Sequence, residues 1–321
     1  MFPASHALVF LLGVSPRRVV HHVTDWEVTA GPPASTHVCS TGLPLIAMAG
    51  TQGGDADDIG GPGGEARKTR IHVVSDVHGN VRDLVRAGDG ADALICLGDL
   101  VLFIDYADHS RGIFPDLFGT ENTDRIVELR TARHYEEARA FGARLWAGVD
   151  RGPAIEKAVR KQYAELFAAF PTPTYATYGN VDVPPLWSEY AGPGTTVLDG
   201  ERVEIGGRVF GFVGGGLRTP MRTPYEISDE EYAAKIEAVG EVDVLCTHIP
   251  PEVPELVYDT VARRFERGSR ALLDAIRRTR PRYSLFGHVH QPLARRMRVG
   301  ATECVNVGHF AGTGKPWVLE W

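Results

Sequence analysis

One local pattern, repeated five times, constrains the fold more than any other feature: a short apolar run that ends on Asp, Asn or His. Ile71 to Ser75 leads into Asp76, Ala93 to Leu97 into Gly98-Asp99, and Thr174 to Tyr178 into Gly179-Asn180. Val242 to Cys246 leads into Thr247-His248, and Tyr283 to Phe286 into Gly287-His288. Apolar runs of this length followed by turn residues read as strands. Helical patterns separate them, including Val81 to Arg86 and Ser269 to Thr279. Ser228-Asp-Glu-Glu231 is a capping box that opens a helix through about Val239. This succession predicts an α/β fold with the polar motifs at the carboxyl ends of strands, where open α/β sheets bind ligands. Arg202 to Ile205 and Arg208 to Val213, joined by Gly206-Gly207, read as a β-hairpin that adds antiparallel members.

The motif-bearing region starts at about residue 70 of 321. Residues 1–69 show no sustained period, and Thr51 to Gly64 is rich in Gly and Asp, so a disordered extension is expected there, with Met48 as an alternative start. The apolar run Ala7 to Val14 is shorter than the about 20 residues a membrane span needs, and no basic residue precedes it as in a secretory signal. A net charge of -7 argues against a partner in duplex nucleic acid. The four cysteines have no CxxC spacing, which together with the missing signal points to a reduced, cytoplasmic protein. Between Asp99 and Asn180 lies an insertion, about 104–172, in which Glu121 to Leu145 and Ala154 to Phe170 have helical spacing and are expected to form a cap near the site.

The motifs have a chemical logic of their own. Alternate residues of an extended segment point the same way, so Asp76 with His78, and His288 with His290, can each present two ligands from one backbone. Imidazole and carboxylate donors suit Mn, Fe or Zn, and no thiolate is needed. In order, the motifs are Ser75-Asp-Val-His-Gly-Asn80, Gly98-Asp99, Gly179-Asn-Val-Asp182, Thr247-His248 and Gly287-His-Val-His290. This series resembles the signature of calcineurin-like metallophosphoesterases, from Ile71 to Trp321. The resemblance implies a four-layer α/β/β/α sandwich, with the helical insertion, around two divalent or mixed-valence ions. It implies one ion on Asp76, His78 and His290, another on Asn180, His248 and His288, Asp99 bridging both, and a metal-bound hydroxide attacking a phosphodiester.

Two positions bear on the leaving group. Family members with a histidine directly after the motif asparagine use it near the leaving oxygen, and here that residue is Val181. The remaining candidates for an acid are His309, in Asn306-Val-Gly-His309, and His109, each also readable as a structural histidine. Asn80 resembles a substrate-phosphate contact and equally suits an N-cap before Val81. Arg218 and Arg222 could reach a phosphate, while Trp146 and Trp187 read as packing residues. Asp99 to Tyr106 followed by Asp108 to Pro115 resembles a bacterial subgroup to which phosphopantetheinyl hydrolase belongs, which implies holo acyl carrier protein as partner and substrate. A small-molecule or cyclic-nucleotide phosphodiesterase, and a non-catalytic scaffold of the same fold, stay open beside it.

Overall fold

The computed structural model describes residues 68–219 and 225–321. The expected extension, with Met48, lies outside the described residues except for Lys68 and Thr69, and so does Arg222. Two sheets carry the chain. In the first, β1 (Arg70–Val74), β2 (Ala93–Cys96), β3 (Thr174–Ala176) and β4 (Thr195–Val197) run parallel in that order. β15 (Trp317–Glu320) pairs antiparallel outside β1.

In the second sheet the order is β13 (Arg296–Val299), β14 (Thr302–Asn306), β12 (Tyr283–Phe286), β9 (Val244–Thr247), β6 (Arg208–Val213) and β5 (Glu201–Ile205). Its four inner strands are parallel, and β13 and β5 are the antiparallel edges. Gly206 and Gly207 turn the β5–β6 hairpin with φ of 57° and 76°, the left-handed pair that a two-residue hairpin turn demands. Two short pairs complete the strands: β7 (Gly216–Leu217) with β8 (Glu226–Ile227), and β10 (Tyr258–Asp259) with β11 (Arg264–Phe265).

Strand alternation builds the layers. Ile71, Val73, Ala93, Ile95 and Leu97 of the first sheet meet Phe210, Phe212, Val244, Cys246, Leu285 and Val305 of the second in one buried core. Intervening residues face outward: Val74, Leu94 and Cys96 into one helical layer, and Val213, Leu245, Phe286 and Cys304 into another. The result is the expected four-layer sandwich of helices, sheet, sheet and helices. Full burial of a Val, Leu, Ile or Phe contributes about 1.5–3 kcal/mol, so the strand ends that carry the polar motifs are held from both faces.

The helices of the described residues are α1 (Val81–Leu84), α2 (Ile113–Phe118), α3 (Thr120–Thr131), α4 (Tyr135–Leu145), α5 (Arg151–Ala168), α6 (Pro184–Tyr190), α7 (Asp229–Val239), α8 (Pro254–Val257), α9 (Arg270–Thr279) and α10 (Phe310–Thr313). The capping box of Ser228 and Glu231 opens α7 as expected. The stretch read as one helix from Glu121 to Leu145 is two. Arg133 takes a left-handed φ of 62°, and His134 N donates back to Leu129 O at 2.8 Å, a C-terminal cap closed without glycine. Ile126, Val127, Leu129, Trp146, Ile155, Val159 and Leu166 of the insertion pack in the outer helical layer with Val74 and Leu94. Among the described residues, no helix is long and apolar enough to cross a membrane.

Candidate metal centre

All seven expected ligands meet at the carboxyl ends of β1, β2, β3, β9 and β12, and each is at least nine-tenths buried. Tight turns bring them there. Asp76, His78, Asp99 and His288 all have positive φ, of 56°, 38°, 56° and 69°. L-residues rarely adopt this conformation, and the surrounding hydrogen bonds enforce it: Asp76 N to Gly98 O at 3.0 Å and His78 N to Asp99 O at 2.9 Å. Gly98 is required by close approach as well as by its φ of 92°, since a Cβ there would collide with the Gly179 backbone.

Carbonyl oxygens can only accept, and this fixes two histidine tautomers. His78 Nδ1–H donates to Val101 O at 3.0 Å, and His248 Nδ1–H donates to Leu97 O at 2.9 Å. Their Nε2 atoms therefore point inward, each with a free lone pair when its ring is neutral. His248 Nε2 faces Asn180 Oδ1 at 3.0 Å and Asp99 Oδ2 at 3.4 Å, while His78 Nε2 faces His290 Nε2 at 3.4 Å and Asp99 Oδ2 at 3.9 Å. His288 Nδ1–H donates to Asn180 Oδ1 at 2.8 Å, which leaves its buried Nε2 without a hydrogen-bond partner. Buried imidazole nitrogens, carboxylate oxygens and an amide oxygen turned toward one another need protons or cations between them, so this donor set fits metal ions. The ligand atoms of Asp76, His78 and Asp99 lie within 4.8 Å of one another, and so do those of His78, His290 and His309.

Protonation shows the same demand. Burial works to lower the His248 pKa, but the Asp99 charge and hydrogen bond outweigh it and lift it to about 9. The His288 pKa falls to about 4 through burial and the nearby His248 charge. Burial raises Asp76, yet the hydrogen bond and charge of His290, 3.2 Å away, hold it well below the carboxylate range.

Asp182 anchors this arrangement, a role that sequence reading missed. Its carboxylate accepts Asp99 N at 2.8 Å, Leu100 N at 2.9 Å and Gly179 N at 2.8 Å, tying the β2 and β3 turns together. Asp99 Oδ1 in turn accepts Val181 N at 3.0 Å. On the other side, Asn306 Nδ2 donates to Gly287 O at 3.2 Å and Val289 O at 2.9 Å, bracing the HxH turn. The signal for Asp182 was its place two residues after Asn180.

A cavity of about 490 Å³ opens on His78 and His290. Asn80, His309, Leu102, Ile104, Tyr106 and Arg295 are among its walls. His309 stacks on His290, with ring centroids 4.0 Å apart and planes 6° from parallel. It is held there because Phe310 N and Ala311 N donate to Ser75 O and Asp76 O, both at 3.0 Å. Asn80 also caps α1, accepting Asp83 N at 3.2 Å. His109 does not join the site, because its Nδ1 pairs with Asp124 at 2.7 Å. Arg218 is exposed, with Glu231 at 4.0 Å, and does not line this cavity. Val181 is buried in the outer helical core.

A family model described as calcineurin-like phosphoesterase matches residues 69–292. The chain belongs to that family. A comparison with curated protein sequences finds no match. One solved structure resembles this phosphoesterase at 16% identity over 79% of the chain and 95% of its own length, with a TM-score of 0.51. TT1561 of Thermus thermophilus matches at 14% identity over 79% and 99%, with a TM-score of 0.45. Purple acid phosphatase PPD1 from yellow lupin seeds matches at 11% identity over 76% and 44%, with a TM-score of 0.36.

Proposed function

We propose that this phosphoesterase uses two ions, of Mn, Fe or Zn, to hydrolyse a phosphodiester, and that the ester is the serine-linked 4′-phosphopantetheine arm of holo acyl carrier protein. The observation that carries this reading is the cavity wall: the stretch that resembles the phosphopantetheinyl hydrolase subgroup supplies Leu102, Ile104, Tyr106 and Arg111 beside His78 and His290. A cavity of about 490 Å³ has room for an organic arm beyond the phosphoryl group, which favours a diester.

Asp76, His78 and His290 would hold one ion, and Asn180, His248 and His288 the other. Asp99 Oδ2, which faces imidazoles of both groups, would bridge them. When bound, such a pair of ions supplies Lewis acidity, activates water and stabilises charge on the attacking and leaving oxygens. The chain positions the ester. Asn80 and His309 stand on the cavity wall next to His78 and His290, within reach of a phosphoryl oxygen. Burial, together with the charges of His290 and His78, pushes the His309 pKa down to about 3, so its imidazole works as a neutral hydrogen-bond donor toward the leaving oxygen. Buried Val181 offers no donor.

The test is turnover by the Mn-loaded chain of bis-p-nitrophenyl phosphate, p-nitrophenyl phosphate, cyclic nucleotides and holo acyl carrier protein. The expected outcome is diester over monoester hydrolysis and mass loss of the arm from the carrier protein. Faster cyclic-nucleotide hydrolysis with an intact arm would transfer the function to small-molecule diesters. Turnover of none would leave the scaffold reading.

A further inference from the structure

Arg295 differs from the other arginine on the cavity wall. Arg111, the other arginine that lines the cavity, is paired with Asp105 at 3.2 Å. The Arg295 guanidinium lines the cavity with His290 and His309 but has no hydrogen bond or ion pair among the described residues. No acid on the cavity wall claims it. Asp105 is taken by Arg111, Asp108 by the Ser110 hydroxyl at 2.6 Å, and Asp259 accepts the backbone N–H groups of Val261, Ala262 and Gln291.

The surroundings of this side chain are built. Arg295 O accepts Asn306 N at 2.8 Å, which ties its backbone to the end of β14. The guanidinium lies over Gly308, where an added Cβ would come within 2.9 Å of Nη2. Glycine at 308 therefore leaves the space that the guanidinium uses, one residue before His309 stacks on His290. An unpaired planar fork of donors beside a centre that fits phosphoryl groups matches phosphate oxygens bidentately, a geometry that lysine does not reproduce.

We propose that Arg295 is a substrate-binding residue whose guanidinium takes non-bridging oxygens of the phosphoryl group at the metal centre. This rests on the phosphoesterase reading above. The contact is made equally in the bound ester and in its transition state, so it governs binding more than the chemical step.

The experiment measures inorganic phosphate binding by calorimetry to the Mn-loaded full chain, for wild type, Arg295→Ala and Arg295→Lys, with manganese content determined on each. The Ala variant should bind phosphate roughly tenfold or more weakly with its manganese retained, and the Lys variant should recover part of the loss. KM for bis-p-nitrophenyl phosphate should rise by a similar factor in the Ala variant while kcat stays within about threefold. An Ala variant that keeps its manganese and binds phosphate like wild type overturns the proposal. Loss of manganese from both variants also overturns it, by assigning Arg295 a structural role. Should wild type turn over neither diester nor monoester, the phosphoesterase reading fails, and the calorimetric comparison still decides whether Arg295 binds phosphate.

Discussion

Metal uptake by this chain should release a proton from His248. In the metal-free protein the Asp99 carboxylate, 3.4 Å from His248 Nε2, lifts the pKa to about 9 against the opposing effect of burial. A metal ion must displace that proton. Two pH units below the pKa only about one molecule in a hundred is deprotonated, so apparent affinity at pH 7 should be about a hundredfold below its high-pH limit. The same shift sets the stability of the metal-free fold. The folded pKa is raised above the ordinary 6.5, so protonated His248 stabilises fully below about pH 6.5, and that contribution, on the order of 3 kcal/mol, is lost as pH rises through about 9. The assay is calorimetric Mn titration at pH 7–9.5 in buffers of different ionisation enthalpy, which counts protons released. About one proton from this group is expected near pH 7.5, falling toward zero above 9.5, and Asp99→Asn should remove it at pH 8. Flat affinity from pH 7 to 9 with no proton release would refute the reasoning.

Three substitutions probe other parts of the site. Asp99→Asn should lower turnover at least about a hundredfold and bring metal content below two ions per chain, because one carboxylate faces both imidazole groups; elemental analysis with diesterase kinetics reads both. Replacing His309 by Ala should slow esters of poor leaving groups by about ten- to a hundredfold and affect p-nitrophenyl esters much less; equal losses on both would remove it from the leaving-group side. Gly98→Ala should destabilise by about 2–4 kcal/mol in chemical denaturation, because the new Cβ meets the Gly179 backbone at a φ of 92°.

The cluster of polar residues could be read from the sequence because Asp76, Asp99, Asn180, His248 and His288 each follow an apolar strand pattern, and the layering followed from those strands. What could not be read depends on contacts remote in the chain. The Asp182 carboxylate matters through the backbone N–H groups of Asp99 and Leu100, 83 and 82 residues away. The break at Arg133 has no glycine or proline to announce it; its left-handed turn is closed by a backbone bond to Leu129. Apolar periodicity found the insertion helices but could not say which sheet face they cover. His309 and His109 looked alike in sequence, and only the packing of the His309 segment against Ser75 and Asp76 separates them.

Elemental analysis of the purified full chain, run alongside bis-p-nitrophenyl phosphate turnover before and after chelation, tests most directly whether two ions sit among these seven side chains and hydrolyse a phosphodiester. Two ions per chain, with activity lost on chelation and restored by Mn, is the predicted result; full activity in chelated, metal-free protein would contradict it.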